Sequence, residues 1–461
     1  MRFSKNPLMF MRWFVLLTGF VPFVVYGDVV GVGLNQHGQR SVPTGTSDVV
    51  AVAAGRDFSL GIKATGELVG WGNNSDGRAV PPVGLSGVIS LSSGTYHTLA
   101  LKSDGTVVAW GFGGNGILEV PTGLSDVLAV AAGGYHSLAV KRDGTVVGWG
   151  FTGNGRTVAP ATLTDVIAID AGRDHSVALK SEGTVVAWGL NDFGQTDVPV
   201  GLSGVIAISA GENHTLALKD NGTVVAWGLN QSGQCTVPGT LSGVVAIAAG
   251  GQHSLALKSD GTVVGWGSNA NGQRTFSGNT YRSIAAGGYH SLAIKGTGPL
   301  ITSQPLSRTV ITGAAVSFQV TAAGTGLSYQ WQFNGVDLEG QTGASLAVAS
   351  AARENAGVYT VRVTNGSGSV LSANAVLIVR GLQQLAAPQL LVGGGMRLVF
   401  GDIHGDPISA PNVSRYKVEV SSDLQTWTVL NLPLVLVDGL LQLDDPDAAN
   451  HVRRFYRVTE K

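Results

Sequence analysis

The sequence predicts an all-β protein whose first two-thirds is a seven-bladed β-propeller, followed by two smaller β-sandwich units. Three observations predict this. Glycine supplies 67 of 461 residues, roughly twice its usual share, and without a strict Gly-X-Y period these glycines must mark many tight turns. Tryptophan recurs at a fixed interval: Trp71, Trp110, Trp149, Trp188, Trp227 and Trp266 stand 39 residues apart, with Val32 one period upstream. Within each period lie three short β-rich runs, such as "DVLAVAAG", "HSLAVK" and "TVVGWG" between residues 126 and 150.

Residues 1–27 read as a secretory signal, with Arg2, Lys5 and Arg12 ahead of the apolar run "WFVLLTGFVPFVVY" and small residues before Asp28. That run is 14 residues, shorter than the ~20 a spanning helix needs. An exported protein is expected, periplasmic, surface-bound or extracellular, touching a membrane only through an uncleaved leader. Loss of the leader leaves 26 basic residues against 30 acidic, a net charge of −4. No lysine or arginine run stands out, which argues against nucleic acid or anionic lipid as partner. Cys235 is the single cysteine, so cores and sheet hydrogen bonds, not an internal disulfide, must hold the fold.

The repeat array spans 28–297. Turns such as Lys102-Ser-Asp-Gly105 and Lys141-Arg-Asp-Gly144 supply the left-handed glycine of a short hairpin between the second and third runs. A further run such as "QTDVPV" is expected to add a fourth, outer strand. A period near forty suits a propeller blade, and the ends of the array favour a ring over an open solenoid. The array opens on an orphan third strand (28–33) and closes on "YRSIAAGGYHSLAIK" (281–295), which lacks its third strand. Joined, the two fragments make one whole blade, so residues 28–33 are expected to clasp the ring.

At this point "HSLALKSDGTVVGWGSNANGQ" (253–273) resembles the regulator-of-chromosome-condensation repeat, a seven-bladed propeller family. The likeness is greatest to secreted bacterial members with "VPxGLSGV" linkers, among them a propeller that inhibits β-lactamases by clamping them with one face. Three β units, the lack of paired catalytic groups and a presentation face favour a binding module over an enzyme. The nuclear exchange-factor activity of the family's eukaryotic founder is not expected to carry over, given the expected leader and the lack of any basic run or wedge-like insertion in the sequence.

His97, His136, His175, His214, His253 and His290 hold one repeat position, filled by Phe58 in the first repeat. A metal ligand or general base is not expected six times round a ring with phenylalanine as the seventh, so these imidazoles should hydrogen-bond between blades. The tryptophans should pack blades. Gly38, Gly77, Gly116, Gly155, Gly194, Gly233 and Gly272 should each take a positive φ. Lys63, Lys102, Lys141, Lys180, Lys219, Lys258 and Lys295 belong to a mixed-charge face, because acidic residues stand close to most of them. No catalytic group, cofactor site or metal site is assigned.

What changes from repeat to repeat is the pair just before the histidine position: Arg56-Asp57, Thr95-Tyr96, Gly134-Tyr135, Arg173-Asp174, Glu212-Asn213, Gly251-Gln252 and Gly288-Tyr289. Ring geometry puts all seven on one face near the central opening, where variable polar and aromatic residues read as a contact surface. Arg56, Asp57, Tyr96, Tyr135, Arg173, Asp174, Glu212, Asn213, Gln252 and Tyr289 are therefore the candidate partner-binding residues. The partner is a protein or a carbohydrate, and the chain is expected to be a monomer. A hydrolase at the central funnel would have to draw on Asp57, Asp174 and Glu212.

Residues 299–380 resemble an immunoglobulin-like sandwich, with Trp331 as core tryptophan, Tyr359 in a tyrosine corner, and Val320 and Val361 in the two cysteine positions. Residues 386–461 alternate as strands do and form a small C-terminal β-sandwich, in which Asp444, Asp445 and Asp447 read as a solvated turn rather than a calcium loop. The leading reading is an exported, non-catalytic interaction protein; the alternatives are an envelope or adhesion structural protein and a funnel-sited hydrolase.

Overall fold

A computed structural model describes residues 28–461 except 47, 64, 279, 297, 367, 381–382, 403–412, 414–415, 452 and 461. The expected leader lies outside the described residues. Six consecutive repeats each form a three-stranded antiparallel sheet, the first from strands Val49–Ala54, Phe58–Lys63 and Leu68–Gly72. The seventh sheet joins the two ends of the array: Val29–Gly33 pairs antiparallel with His290–Lys295, which pairs with Tyr281–Ala286. Val29 lies opposite Ile294 and Gly33 opposite His290.

The middle strand of every blade is buried along almost its whole length, as in His136–Lys141. A neighbouring blade covers each face of such a strand, so its side chains are apolar or, like His136 and Ser137, hydrogen-bonded. The cores accordingly lie between blades: Leu99, Leu101 and Val107 of one pack with Val130, Ala139 and Trp149 of the next. No fourth strand forms at "QTDVPV". Asp197 and Val198 give their N–H groups to Gly194 and Thr196 at 3.1 and 2.9 Å, and Pro199 has none to give, so a turn takes the donors a ladder would need.

After the ring, strands including Ser328–Phe333, Gly357–Asn365 and Ala375–Arg380 form one sheet and Val316–Gln319 with Ser345–Val348 another. Their shared core is Phe318, Trp331, Leu346, Tyr359, Val361 and Leu377. Trp331 is fully buried and donates to the Gly343 carbonyl at 2.9 Å, and the Tyr359 hydroxyl donates to the Asn355 carbonyl at 2.8 Å. Val320 and Val361 fill the remaining interior with apolar side chains. A last pair of sheets packs on Leu398, Phe400, Tyr416, Val418, Leu441 and Leu443. There Asp444 binds Arg397, Asp445 binds Arg454 and Tyr456, and Asp447 binds His451 and Arg454, so each acidic side chain has a protein partner.

The first sandwich docks against the ring. Leu128 packs with Val358, Val376 and Ile378, Asp165 pairs with Arg380, and Arg282 donates to the Ser369 carbonyl at 2.8 Å. These ring residues sit at the start of the inner strands, on the face that also carries the hairpin turns. We call it the lower face.

Candidate functional site

The site is built on a frame that recurs at six of the seven seams, with Phe58 in place of the histidine at the remaining one. His136 Nε2 meets Ser176 Oγ of the next blade at 3.0 Å, and the same contact recurs as His97–Ser137, His175–Thr215, His214–Ser254, His253–Ser291 and His290–Ser59, at 2.7–3.1 Å. Each hydroxyl in turn donates to a loop carbonyl, Ser176 to Arg156 at 2.8 Å, and Trp188 Nε1 donates to that same carbonyl at 2.9 Å. Because the hydroxyl proton is committed, the imidazole must be the donor, which fixes the neutral Nε2–H tautomer. Burial holds these histidines far below their usual pKa: about 3 for His97, His214 and His253, about 4 for His175 and His290, and well below 6.5 for His136. The imidazoles are inter-blade hydrogen-bond donors, as the sequence predicts. All seven loop glycines take φ between 70° and 78°.

Above this frame the loops joining inner and middle strands form the upper face. The first members of the variable pairs, Arg56, Thr95, Gly134, Arg173, Glu212, Gly251 and Gly288, ring the mouth of a narrow well of about 70 Å³. Each gives its backbone N–H to a neighbouring blade, as in Arg56 to Gly94 at 3.2 Å and Glu212 to Gly250 at 3.2 Å. The mouth is therefore a closed hydrogen-bonded ring whose side chains are free to differ. Glycine is required at some of its positions: a Cβ on Gly134 would lie 2.4 Å from the Arg173 carbonyl oxygen, and one on Gly288 would lie 2.9 Å from Arg56 Cγ.

The second members stand one shell out, and the structure divides them into two kinds. Asp57 and Asp174 are tied down from below: Asp57 accepts from Asn73 at 2.7 Å and pairs with Arg78 at 3.5 Å, and Asp174 pairs with Arg156. Arg78 and Arg156 are 5% and 3% exposed, so both carboxylates serve as counter-ions to buried cations. Tyr96 and Tyr135 lie with ring centroids 4.8 Å apart, and hydrogen bonding to Tyr96, with burial, raises the Tyr135 hydroxyl pKa. Burial opposes the charge on Arg56, but the fields of Glu212, Tyr96, Tyr289 and Asp57 outweigh it and raise its pKa. Arg173 remains half exposed, 3.5 Å from Asp174. Asn213 and Gln252 are half-buried beside the same mouth, and Gln252 accepts from Ser232 at 3.2 Å.

Sequence reasoning missed a second variable ring. The residue after each Trp-Gly bonds the carbonyl of a pair's second member: Asn73 to Asp57, Phe112 to Tyr96, Phe151 to Tyr135 and Leu190 to Asp174, at 2.8–3.0 Å. Phe112 and Phe151 are 37% and 45% exposed there, and Phe112 leans on Tyr96 at 5.9 Å. Variation directly after the recurring Trp-Gly was the signal. Aromatic side chains of the upper face gather over the second and third blades, with Tyr289 on the seventh, and among its described residues no nucleophile is set against a base.

The regulator of chromosome condensation (RCC1) repeat matches this chain six times, at 49–78, 88–117, 127–156, 166–195, 205–234 and 244–273. Among solved structures, yeast RCC1 (Prp20) bound to Kap60 is similar at 19% identity and a TM-score of 0.50, over 59% of this chain and 90% of that one. The ectodomain of the Arabidopsis thaliana receptor kinase ACR4 is similar at 22% identity, 55% and 93% coverage, and a TM-score of 0.45. A stretch of 95 residues is 36% identical to endoglucanase C of Cellulomonas fimi, and the chain spans 8% of that enzyme's length. The six matches and the three-stranded blades show that the ring is a β-propeller built of RCC1 repeats.

Proposed function

We propose that this chain is an exported, non-catalytic interaction module that uses the upper face of its propeller to hold a protein or carbohydrate partner. The observation that carries the reading is the division of labour between faces. The first sandwich occupies the lower face through Leu128, Asp165 and Arg282, while among the described residues it is those of the propeller that line the upper mouth. A rigid hydrogen-bonded ring carrying variable tyrosine, phenylalanine and arginine side chains suits recognition, since preorganised aromatics and arginines dominate interface energetics. Two of the three carboxylates a funnel-sited hydrolase would need are committed to buried arginines, which supports the non-catalytic reading. The buried Trp331 and the Tyr359 hydrogen bond support an immunoglobulin-like reading of 299–380.

The test immobilises the mature chain, recovers its partner from the host's periplasm or medium, and repeats the recovery with Tyr96, Tyr135 and Tyr289 all changed to alanine. Recovery should fall with the variant while its melting temperature stays within a few degrees. Undiminished recovery would move the binding to the sandwich domains and leave the propeller as a spacer.

A further inference from the structure

The lower face holds a charge that the fold leaves unanswered. The second residue of the inner strand is Val50, Ile89, Leu128, Ile167, Ile206 and Val245 in six blades, an apolar collar round the lower end of the ring. In the seventh blade it is Arg282, only 7% exposed. Its Nη1 donates to the Ser369 carbonyl, its Nε has no partner, and no carboxylate among the described residues offsets the burial that lowers its pKa. Buried arginines are ordinarily paired, because removing a guanidinium from water is costly.

Beside Arg282 the docked sandwich leaves a cavity of about 330 Å³, walled by Val50, Ile89, Val245, Ile284, Ile301 and Val370. A second cavity of about 300 Å³ shares Val245, Gln304 and Asn374 with it. Ser90, Ser283, Gln304, Ser372 and Asn374 also line the first cavity, and a wall part apolar and part polar with one cationic group, at an interface between domains, is a usual make-up of a small-molecule site. We propose that this vestibule binds a small amphiphilic carboxylate, with its head group on Arg282 and its hydrocarbon body against the collar. The head group would meet the Arg282 guanidinium where it borders the vestibule, and the chain would fill space that Val50, Ile89 and Val370 leave open. Nothing in this site depends on the upper face or on what binds there.

The test is calorimetric titration of the full chain with octanoate, with 1-octanol and octylamine as head-group controls. Octanoate should bind one to one and at least about tenfold more tightly than octanol, the scale of a hydrogen bond to a buried charge. Arg282→Val restores the residue of the other blades; it should weaken octanoate binding by about tenfold or more and leave the melting temperature unchanged or higher. Val370→Phe, which keeps Arg282 and fills the cavity, should abolish binding and decides the matter if the arginine variant does not fold. Octanoate bound no better than octanol, no binding at millimolar octanoate, or binding unchanged in either variant would overturn the proposal.

Discussion

His136 Nε2 lies 3.0 Å from Ser176 Oγ, across the seam between two blades. That contact closes a chain running from imidazole to hydroxyl to the Arg156 carbonyl and on to the Trp188 indole. It explains why histidine, serine or threonine, and tryptophan recur together. His136→Phe and Ser176→Ala should each cost about 1–3 kcal/mol through a lost buried hydrogen bond, and they should couple by about 0.5–3 kcal/mol. Denaturant unfolding of both single variants and the double variant measures this directly, and strict additivity would break the link.

The same histidines make the ring acid-labile. Their folded pKa values lie well below the unfolded 6.5. Above pH 6.5 both states are neutral and nothing is lost. Below it only the unfolded chain takes up protons, so stability falls as pH drops from 6.5 towards 3–4. Six such groups give a slope of about 8 kcal/mol per pH unit at its steepest. Asp170, raised by burial to about 6, acts oppositely: its folded pKa exceeds the unfolded one, so its contribution is present below pH 4 and lost as pH rises towards 6. Six groups outweigh one, and a melting temperature that fell steeply between pH 6 and 4 would agree. A curve flat across that range would not.

Closure by residues 28–33 is equally exposed to test. Deleting Asp28 to Leu34 removes the strand pairing that runs from Val29–Ile294 to Gly33–His290 and opens the edge of His290–Lys295. The loss should be about 3–5 kcal/mol, seen as a drop in melting temperature of the clipped chain. Equal melting temperatures would show that the ring closes without its clasp.

Much of this architecture was legible because the repeat states it many times over. Phe58 standing where six histidines recur argues for packing over chemistry before any coordinate is known. Features spanning two repeats were not legible. Arg78 reaches back 21 residues to Asp57, whereas Arg156 reaches forward 18 to Asp174, so no single spacing betrays the pairing and the two carboxylates read as free. The lower collar also escaped notice, since an apolar residue at the second place of a strand already looks like blade core. Only Arg282, the one departure from that pattern, was there to be seen.

The docking of the sandwich yields its own expectation. Leu128→Asp places a charge against Val358, Val376 and Ile378, where an unpaired carboxylate is costly. The sandwich should swing away, raising the radius of gyration measured by small-angle scattering, while the propeller keeps its own unfolding transition. An unchanged scattering profile would show that the remaining contacts, Asp165–Arg380 among them, suffice.

The central claim is that partners meet the upper face. It is tested most directly by placing a photo-crosslinking benzophenone residue at Phe151 on that face or at Val200, fully exposed away from the mouth, and irradiating each protein in an extract of the host's envelope and medium. A discrete adduct is expected from position 151, competed away by unlabelled protein but not by the triple tyrosine variant, and none from position 200. An adduct from position 200 alone, or one from 151 that the triple variant competes as well as the unaltered chain, would contradict it.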